Sequence, residues 1–399
     1  MSISAQKRVL LLADDDAENI QVVHSMLKDD YKIRVAKNGA KALELASIDP
    51  VPDLILLDVI MPEIDGYEAC SRLKADRKTR DIPVIFLTGK TDVADEARGF
   101  ALGAVDYIHK PFSPPIVTAR VRTHLMLRDA HETVTQQLLT LNRELEMARQ
   151  IQMSILPQQT PCIHGLEIEA RYIPMNSVAG DFYDFLVVDE KHVGILIADV
   201  SGHGLPSALI ASMLQTALAA QRASASDPAQ VLSGLNRALC GKFMNNYYVT
   251  AAYLFVDMET ATVSYGGAAH PPLVQWRSRT GCADECVENG LMLGPFSTAT
   301  YSAVTFPLEE GDRILLVTDG IIEAKDSSNE EFGMERLRHM VQSNHALPIR
   351  RFSDTVISEI TRWSGQDFGP SQSDDITLLA IDYKGHPPSQ SSVNMSVTV

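Results

Sequence analysis

The first third of the chain is ruled by one alternation. Five short apolar runs, KRVLLLA, YKIRVA, DLILLD, IPVIFLT and VDYIHK, are separated by amphipathic segments of helical length over residues 7–129. A strand covered on both faces reads as an unbroken apolar run, and such runs alternating with helical segments are βα units. The alternation therefore restricts this region to a parallel sheet with helices packed on it. The helices fit residues 17–29, 38–48, 65–75, 92–102 and 113–129, with Asn38-Gly39 and Asp65-Gly66 as turn signals.

The rhythm then changes twice. Between residues 120 and 156 there is no Gly and no Pro, while Val134, Leu138, Leu141, Leu145, Ala148 and Ile155 recur at spacings of three and four. These positions form an a/d seam broken at Gln152, so the segment is either a short coiled coil or one long helix packed on its own domain. Pro157, Pro161 and Gly165 end the helix and open the next region. From 166 to 383 the runs LEIEARYI, DFYDFLVV, HVGILIADV, TAAYLFVD, ATVSYGGA, YSAVTFPL, DRILLVTD and ITLLAIDY alternate in the manner of strands. Helical blocks near 205–222, 228–243, 334–344 and 350–363 interrupt them, which predicts an α+β domain of antiparallel sheets flanked by helices. The polar tail GHPPSQSSVNMSVTV reads as mobile. The expected domains are thus 1–125, a helical linker over 126–160, 161–384, and a flexible tail over 385–399.

Composition narrows the function classes. The 399 residues carry 35 Lys+Arg against 51 Asp+Glu, a formal charge of −16. No basic stripe exists to displace counterions from a phosphate backbone, so nucleic acid is not an expected partner. No apolar stretch approaches the roughly 20 residues of a spanning helix. The start MSISAQKRVLLLADDD lacks a cleavable signal pattern, and the expectation is a cytoplasmic protein without membrane partners. The five cysteines are scattered, which is no disulfide framework. The one close pair, Cys282 and Cys286, reads as a surface loop in preference to a zinc site.

In an open parallel sheet, ligands bind beyond the carboxyl ends of the strands. Those ends carry Asp14, Asp15 and Asp16 after the first run, Asp58 closing the third, Thr88 closing the fourth, and Lys110-Pro111 after the fifth. Packing gives no reason for a carboxylate to close DLILLD, whereas a hard cation such as Mg²⁺ requires oxygen ligands. This constellation resembles the receiver domain of two-component response regulators, a flavodoxin-like α/β fold with a five-stranded parallel sheet. The resemblance implies that Asp58 accepts a phosphoryl group and that Asp14 and Asp15 bind Mg²⁺ together with the Asp58 carboxylate and the Ile60 carbonyl. It further implies that Thr88 and Lys110 contact the phosphoryl group, and that Tyr107 is an aromatic rotamer switch. Lys110-Pro111 is a candidate cis peptide.

The later region places acids at strand termini beside small residues: Asp181 in AGDFYD, Asp199 in IADVSGHG, Asp319 in LLVTDGIIEA, and Asp374-Asp375 in SDDITLLAI. Brought together, such acids could hold two divalent ions that activate a water and steady phosphate oxygens. Glycines at 180, 202, 204 and 320 would let the backbone approach closely. Together with ELEMARQIQMSILP, GGAAHPPL and LMLG, these boxes resemble the PPM (type 2C) serine/threonine phosphatases, in the branch of the sporulation and stress phosphatases. By that resemblance Asp181 and Asp199 hold two Mn²⁺ or Mg²⁺, with Asp199 as the bridge and the Val200 carbonyl as a further ligand, while Asp319 and Asp374 complete one shell. Strand alternation points Asp375 away from the side that Asp374 faces. Asp184 is a candidate outer contact, and His203 either assists the leaving oxygen or is a structural hydrogen bonder. Asp257 and Asp312 are expected to be solvated. Ala179 and Ala269 stand where the branch often has Gly.

A receiver joined through a helical linker to a phosphatase implies an output switch. The expected donor is a sensor histidine kinase or a phosphotransfer protein, and the expected substrate is a phosphorylated anti-sigma-factor antagonist. A seam formed between two chains would make a parallel homodimer. The competing expectation is an adaptor that sequesters a partner without relevant hydrolysis.

Overall fold

A computed structural model of the chain describes residues 7–89, 93–175, 178–202, 204–242, 247–365 and 374–385. It divides into two compact units, Met1–Leu141 and Asn142–Val399.

The first unit runs β1 (Val9–Ala13), α1 (Ala17–Leu27), β2 (Lys32–Ala36), α2 (Gly39–Ala46), β3 (Leu54–Asp58), α3 (Gly66–Ala75), β4 (Val84–Thr88), α4 (Val93–Ala101), β5 (Asp106–His109) and the start of α5 (Pro114–Ile155). Its strands are all parallel, in the order β2-β1-β3-β4-β5, the flavodoxin-like order. Every residue of β1, β3 and β4 is buried, which explains their unbroken apolar runs. Leu11, Ile55, Leu57 and Phe86 pack with α2 and α3 on one face. Leu10, Leu12, Leu56 and Leu87 pack with Val23 of α1 and Val117, Val121 and Leu125 of α5 on the other. Asp16, Asn38 and Asp65 each accept a backbone N–H in the first turn of the following helix, an N-cap that fixes where α1 to α3 begin. Asp16 is accordingly a helix cap.

The helix expected to stop near 129 continues without a break to Ile155, which merges the predicted fifth helix and the linker into one element. Val134, Leu138 and Leu141 on its seam are each at least half exposed.

The second unit adds β6 (Leu166–Ile173), β7 (Phe182–Val187), β8 (His192–Val200), α6 (Leu205–Ala219), α7 (Pro228–Leu239), β9 (Val249–Asp257), β10 (Thr262–Ala268), β11 (Leu273–Arg277), β12 (Cys282–Cys286), β13 (Asn289–Gly290), β14 (Val304–Pro307), β15 (Arg313–Val317), α8 (Asp319–Ile322), α9 (Gly333–Ser343), α10 (Ile349–Ser364) and β16 (Ile376–Tyr383). One sheet has the order β13-β10-β9-β8-β7 with β14 on β10; the other has the order β12-β11-β15-β16-β6. Ile314 and Leu316 of β15 and Leu379 and Ile381 of β16 share a core with Ile195, Ile197 and Val256 of the first sheet. The alternate residues Leu315, Val317, Leu378 and Ala380 pack under Leu337 of α9 and Phe352 and Val356 of α10. Helices α6 and α7 lie against the first sheet, so the unit is a β-sandwich with a helical layer outside each sheet.

Two expectations need correction. Cys282–Cys286 is an edge strand paired antiparallel with β11, not a loop. Its polar sequence CADEC hides the strand because only Ala283 is buried, with Cys286 partly covered on the other face. Asp312 is buried, not solvated: it accepts Ser278 N–H at 2.7 Å, Glu309 N–H at 3.1 Å and the Gln275 amide at 3.2 Å. Buried turn donors ahead of β15 need that acceptor. Asp257 is half-buried and accepts the Glu259 and Thr260 N–H groups of its own turn. Among the described residues no helix is long and apolar enough to cross a membrane.

Candidate functional site

In the first unit the parallel register aligns the carboxyl ends of β1, β3, β4 and β5. Asp14 follows Ala13, which pairs with Leu57, and Asp58 ends β3 beside Leu87. Asp14 and Asp58 are buried and Asp15 is exposed. Ligand oxygens of the three lie within 4.8 Å of one another, the only such trio of His, Cys, Asp or Glu among the described residues. Lys110 follows β5, and its Nζ donates to Asp14 Oδ2 at 3.0 Å and Asp58 Oδ2 at 2.9 Å. Burial raises the Asp58 pKa above the ordinary carboxylate value, against the bond from Lys110. Burial would lower that of Lys110, but its bonds to Asp58 and Asp14 leave it raised. An all-oxygen set with a buried negative charge suits a hard divalent ion, so these residues fit Mg²⁺.

Thr88 is buried at the end of β4, and its carbonyl accepts the Lys110 N–H at 2.8 Å. The peptide Lys110-Pro111 is cis. Tyr107 is buried, with its hydroxyl donating to the Glu96 carbonyl at 3.0 Å and its ring edge-on to Phe100. A Cβ on Gly99 would fall 1.6 Å from that hydroxyl, so glycine makes the room the ring occupies. The Ile60 side chain is exposed, and its N–H bonds to the Asp58 carboxylate.

In the second unit the predicted acids come from two pairs of adjacent antiparallel strands. Asp181 precedes Phe182, which pairs with Ala198, so it stands across from Asp199 near the end of β8. Asp319 follows β15 and Asp374 precedes β16, which pair through Val317 and Leu378. Asp181 is buried and its Oδ2 accepts hydroxyls from Thr318 at 2.8 Å and Thr377 at 2.5 Å, joining the two sheets. Burial, then the charges of Asp199 and Asp375, push its pKa well above the usual value. Asp199 is pushed up to about 8 by burial and by Asp319, Asp374, Asp375 and Glu323. Asp319 is pushed up to about 6 by burial, Asp374 and Glu323. Burial and mutual repulsion mark these carboxylates as a crowded set of oxygen donors, and such a set fits divalent ions. Among the described residues no three of these acids bring ligand oxygens within 4.8 Å of one another.

The backbone packs closely beside these acids. A Cβ on Gly320 would meet the Asp375 carbonyl at 1.9 Å, and one on Gly180 would meet the Val200 carbonyl at 2.7 Å. Asp375 is engaged by backbone: its oxygens accept Met175 N–H at 2.7 Å and Gly180 N–H at 2.6 Å. Asp374 Oδ1 accepts the Asp375 N–H at 2.8 Å. Asp184 is half-buried and accepts its neighbour Phe185's N–H. His203 lies outside the described residues. Glu323 is a site residue the motifs did not flag, although its place four residues after Asp319 puts both on one face of a helical turn. Ala269 adopts a φ of +55°, where glycine is unstrained.

The response regulator receiver domain family matches residues 10–122, and the Stage II sporulation protein E (SpoIIE) family matches residues 189–384. Over 128 residues the chain is 44% identical to a probable cyclic di-GMP phosphodiesterase of Vibrio cholerae, spanning 29% of that protein and 32% of this chain. Over 263 residues it is 28% identical to phosphoserine phosphatase RsbU of Bacillus subtilis, covering 65% of this chain and 76% of that one. Phosphoserine phosphatase RsbP of the same organism is 28% identical over 62% of this chain and 59% of its own. The SiaA-PP2C domain of Pseudomonas aeruginosa superposes with a TM-score of 0.55 at 22% identity, covering 62% of this chain and 98% of that domain, which is a likeness of fold. The sheet order of the first unit and the sandwich of the second agree with these matches: the chain is a response regulator receiver domain fused to a SpoIIE-type domain of the PPM phosphatases.

Proposed function

We propose that the chain is a receiver-controlled protein phosphatase, in which phosphorylation of Asp58 sets the activity of the second unit on a phosphoserine or phosphothreonine protein. The observation that carries this reading is the crowding of Asp181, Asp199, Asp319 and Asp374 at adjoining ends of two sheets. There burial and mutual repulsion raise the pKa of the first three, a crowding of charge that divalent cations would relieve.

In the first unit Asp14, Asp15, Asp58 and the Ile60 carbonyl would hold one Mg²⁺, which when bound neutralises charge during attack on phosphorus. An Asp58 oxygen forms the new bond to phosphorus as the donor's bond breaks. Lys110, already bonded to Asp58, and the Thr88 hydroxyl receive phosphoryl oxygens. Tyr107 is the switch that registers the change. The donor is a sensor histidine kinase or a phosphotransfer protein.

In the second unit Asp181, Asp199, Asp319, Asp374 and the Val200 carbonyl would hold two Mn²⁺ or Mg²⁺, which when bound supply an activated water and shield phosphate oxygens. Asp199, repelled by Asp319 and Asp374, would be the ligand that serves both ions. Thr318 and Thr377 fix the orientation of Asp181 through its Oδ2. The substrate is a phosphorylated anti-sigma-factor antagonist, a reading supported by the likeness to two phosphoserine phosphatases. The exposed seam of α5 fits a second copy of the chain, giving a parallel homodimer in the cytoplasm.

The test is Asp199→Asn in the full chain. The reading expects Mn²⁺-dependent hydrolysis of a phosphoserine protein to vanish and signalling output to vanish with it. Loss of hydrolysis with output preserved would instead make the chain an adaptor that captures its partner.

A further inference from the structure

The chain crosses from one sheet of the second unit to the other through His270-Pro271-Pro272, between the end of β10 and the start of β11. The GGAAHPPL and LMLG boxes carry none of the acids, yet both converge on β9. Ala269 N–H donates to the Gly290 carbonyl at 2.9 Å, and the Asn289 amide donates to the His270 carbonyl at 2.9 Å, which fixes the turn after β10. Beyond the end of β10, Leu293 lies beside Val249 and exchanges bonds of 2.8 and 3.1 Å with it. Asn236 of α7 holds that loop by the Gly294 N–H and the Phe296 carbonyl, each at 2.8 Å. In β8, Val200 pairs with Val249 and Asp199 with Thr250. Both boxes therefore brace the two residues of β9 that stand opposite proposed metal ligands.

The His270 ring joins this brace to the second sheet. It is buried, and its Nδ1 lies 3.0 Å from the Thr250 hydroxyl. The backbone of Val317, at the end of β15, meets the ring from the other sheet, while Nε2 closes no hydrogen bond among the described residues. Burial pushes the His270 pKa down to about 3, so the ring is neutral, with one donor and one acceptor nitrogen. Residues directly opposite in an antiparallel pair carry their side chains on one face, about 4.5–5.5 Å apart at Cβ, so Thr250 is the cross-strand neighbour of Asp199. Val317 stands two residues before Asp319. The charge of Asp319 raises the Asp199 pKa, and this like-charge repulsion acts to part the two strand ends that the ring connects.

We infer that His270 is a positioning residue: its ring, bonded to Thr250 in one sheet and packed on the Val317 backbone in the other, sets the separation of Asp199 from Asp319. The inference rests on the proposed metal pair and deepens it, by naming what fixes the spacing between acids contributed by different sheets. It gives the His-Pro-Pro crossover a part in the site without making it a ligand.

The experiment compares full-chain variants by calorimetric titration with Mn²⁺, by electron paramagnetic resonance of the Mn²⁺-loaded chain, whose coupling between two ions depends on their separation, and by thermal unfolding in EDTA. His270→Phe keeps an aromatic ring and removes both nitrogens. Thr250→Val removes the hydroxyl alone. Loss of a contact behind a metal ligand costs about 10- to 100-fold in metal affinity or activity, and His270 acts through one further residue, so His270→Phe is expected to weaken Mn²⁺ uptake about tenfold and to change the coupling. Thr250→Val is expected to shift both readouts in the same direction. Because both variants break one bond, the double variant should be no weaker than His270→Phe alone. His270→Phe with wild-type Mn²⁺ affinity and coupling overturns the inference even if its unfolding temperature drops. Fully additive losses in the double variant also overturn it, because the two residues would then act separately. If His270→Phe does not fold, Thr250→Val decides by the same two readouts, and wild-type values there overturn the inference. A wild-type chain that takes up no Mn²⁺ refutes the metal reading itself and this inference with it.

Discussion

Asp374 and Asp375 are adjacent acids, and replacing each by Asn separates a proposed metal ligand from a structural clamp. Asp375 is buried and accepts two backbone N–H groups, from Met175 at 2.7 Å and Gly180 at 2.6 Å. Asn can accept only one of them, and its NH₂ group confronts the other. The loss is one hydrogen bond to a charged group, roughly 1.5–3 kcal/mol, plus about 1–3 kcal/mol for the buried donor left unmatched. Relief of the repulsion Asp375 exerts on Asp181 and Asp199 offsets part of this. A net destabilisation of about 2–4 kcal/mol is expected, which for a unit of this size lowers Tm by roughly 4–16 °C. Asp374→Asn removes a charge that repels Asp199 and Asp319. Without metal it should leave Tm unchanged or raise it, while abolishing tight Mn²⁺ uptake. Calorimetric melts of both variants in EDTA, paired with Mn²⁺ titrations, make the comparison. A stable Asp375→Asn chain beside a destabilised Asp374→Asn chain that still takes up Mn²⁺ would reverse the assignment.

The same cluster sets a pH dependence. Asp181, Asp199 and Asp319 have folded pKa values above the unfolded carboxylate value of about 4. The folded chain thus binds more protons than the unfolded chain from about pH 4 to about pH 8, and the metal-free second unit loses stability as pH rises through that window. Melts at pH 5, 6.5 and 8 in EDTA should show falling Tm, and saturating Mn²⁺ should flatten the slope; a rising metal-free Tm contradicts this. Lys110→Ala removes the cation bonded to Asp14 and Asp58. It should tighten Mg²⁺ binding several-fold while slowing phosphorylation of Asp58 by a small acyl phosphate, and weaker Mg²⁺ binding by titration would count against the proposed ligands. Ala269→Gly relieves a φ of +55°. Strain of about 1–2 kcal/mol, less about 0.4–1 kcal/mol of added unfolded-state entropy, predicts a gain of up to about 1.6 kcal/mol, seen as a higher Tm.

Legibility in the sequence followed burial. Strands covered on both faces, such as β1, β3 and β16, are unbroken apolar runs and are identifiable without coordinates. The acids that end or precede them are conspicuous because nothing in packing requires a charge there. Edge strands carry no such signal: in CADEC one residue alone, an alanine, is buried, and pairing with β11 is what makes it a strand. Glu323 escaped notice because its part in the cluster depends on the bend after β15, and Asp312 because its acceptors serve donors distant in sequence. Gln152 was visible only as a defect in the seam. Its partner is a backbone, Ala179, and no side-chain pattern announces a backbone that lacks a strand neighbour.

Anomalous scattering at the manganese edge from crystals of the full chain grown with Mn²⁺ tests the central claim most directly. Two peaks among the carboxylates of Asp181, Asp199, Asp319 and Asp374 are expected, both lost in Asp199→Asn. Absence of any peak at these four acids, with manganese in excess, would contradict it.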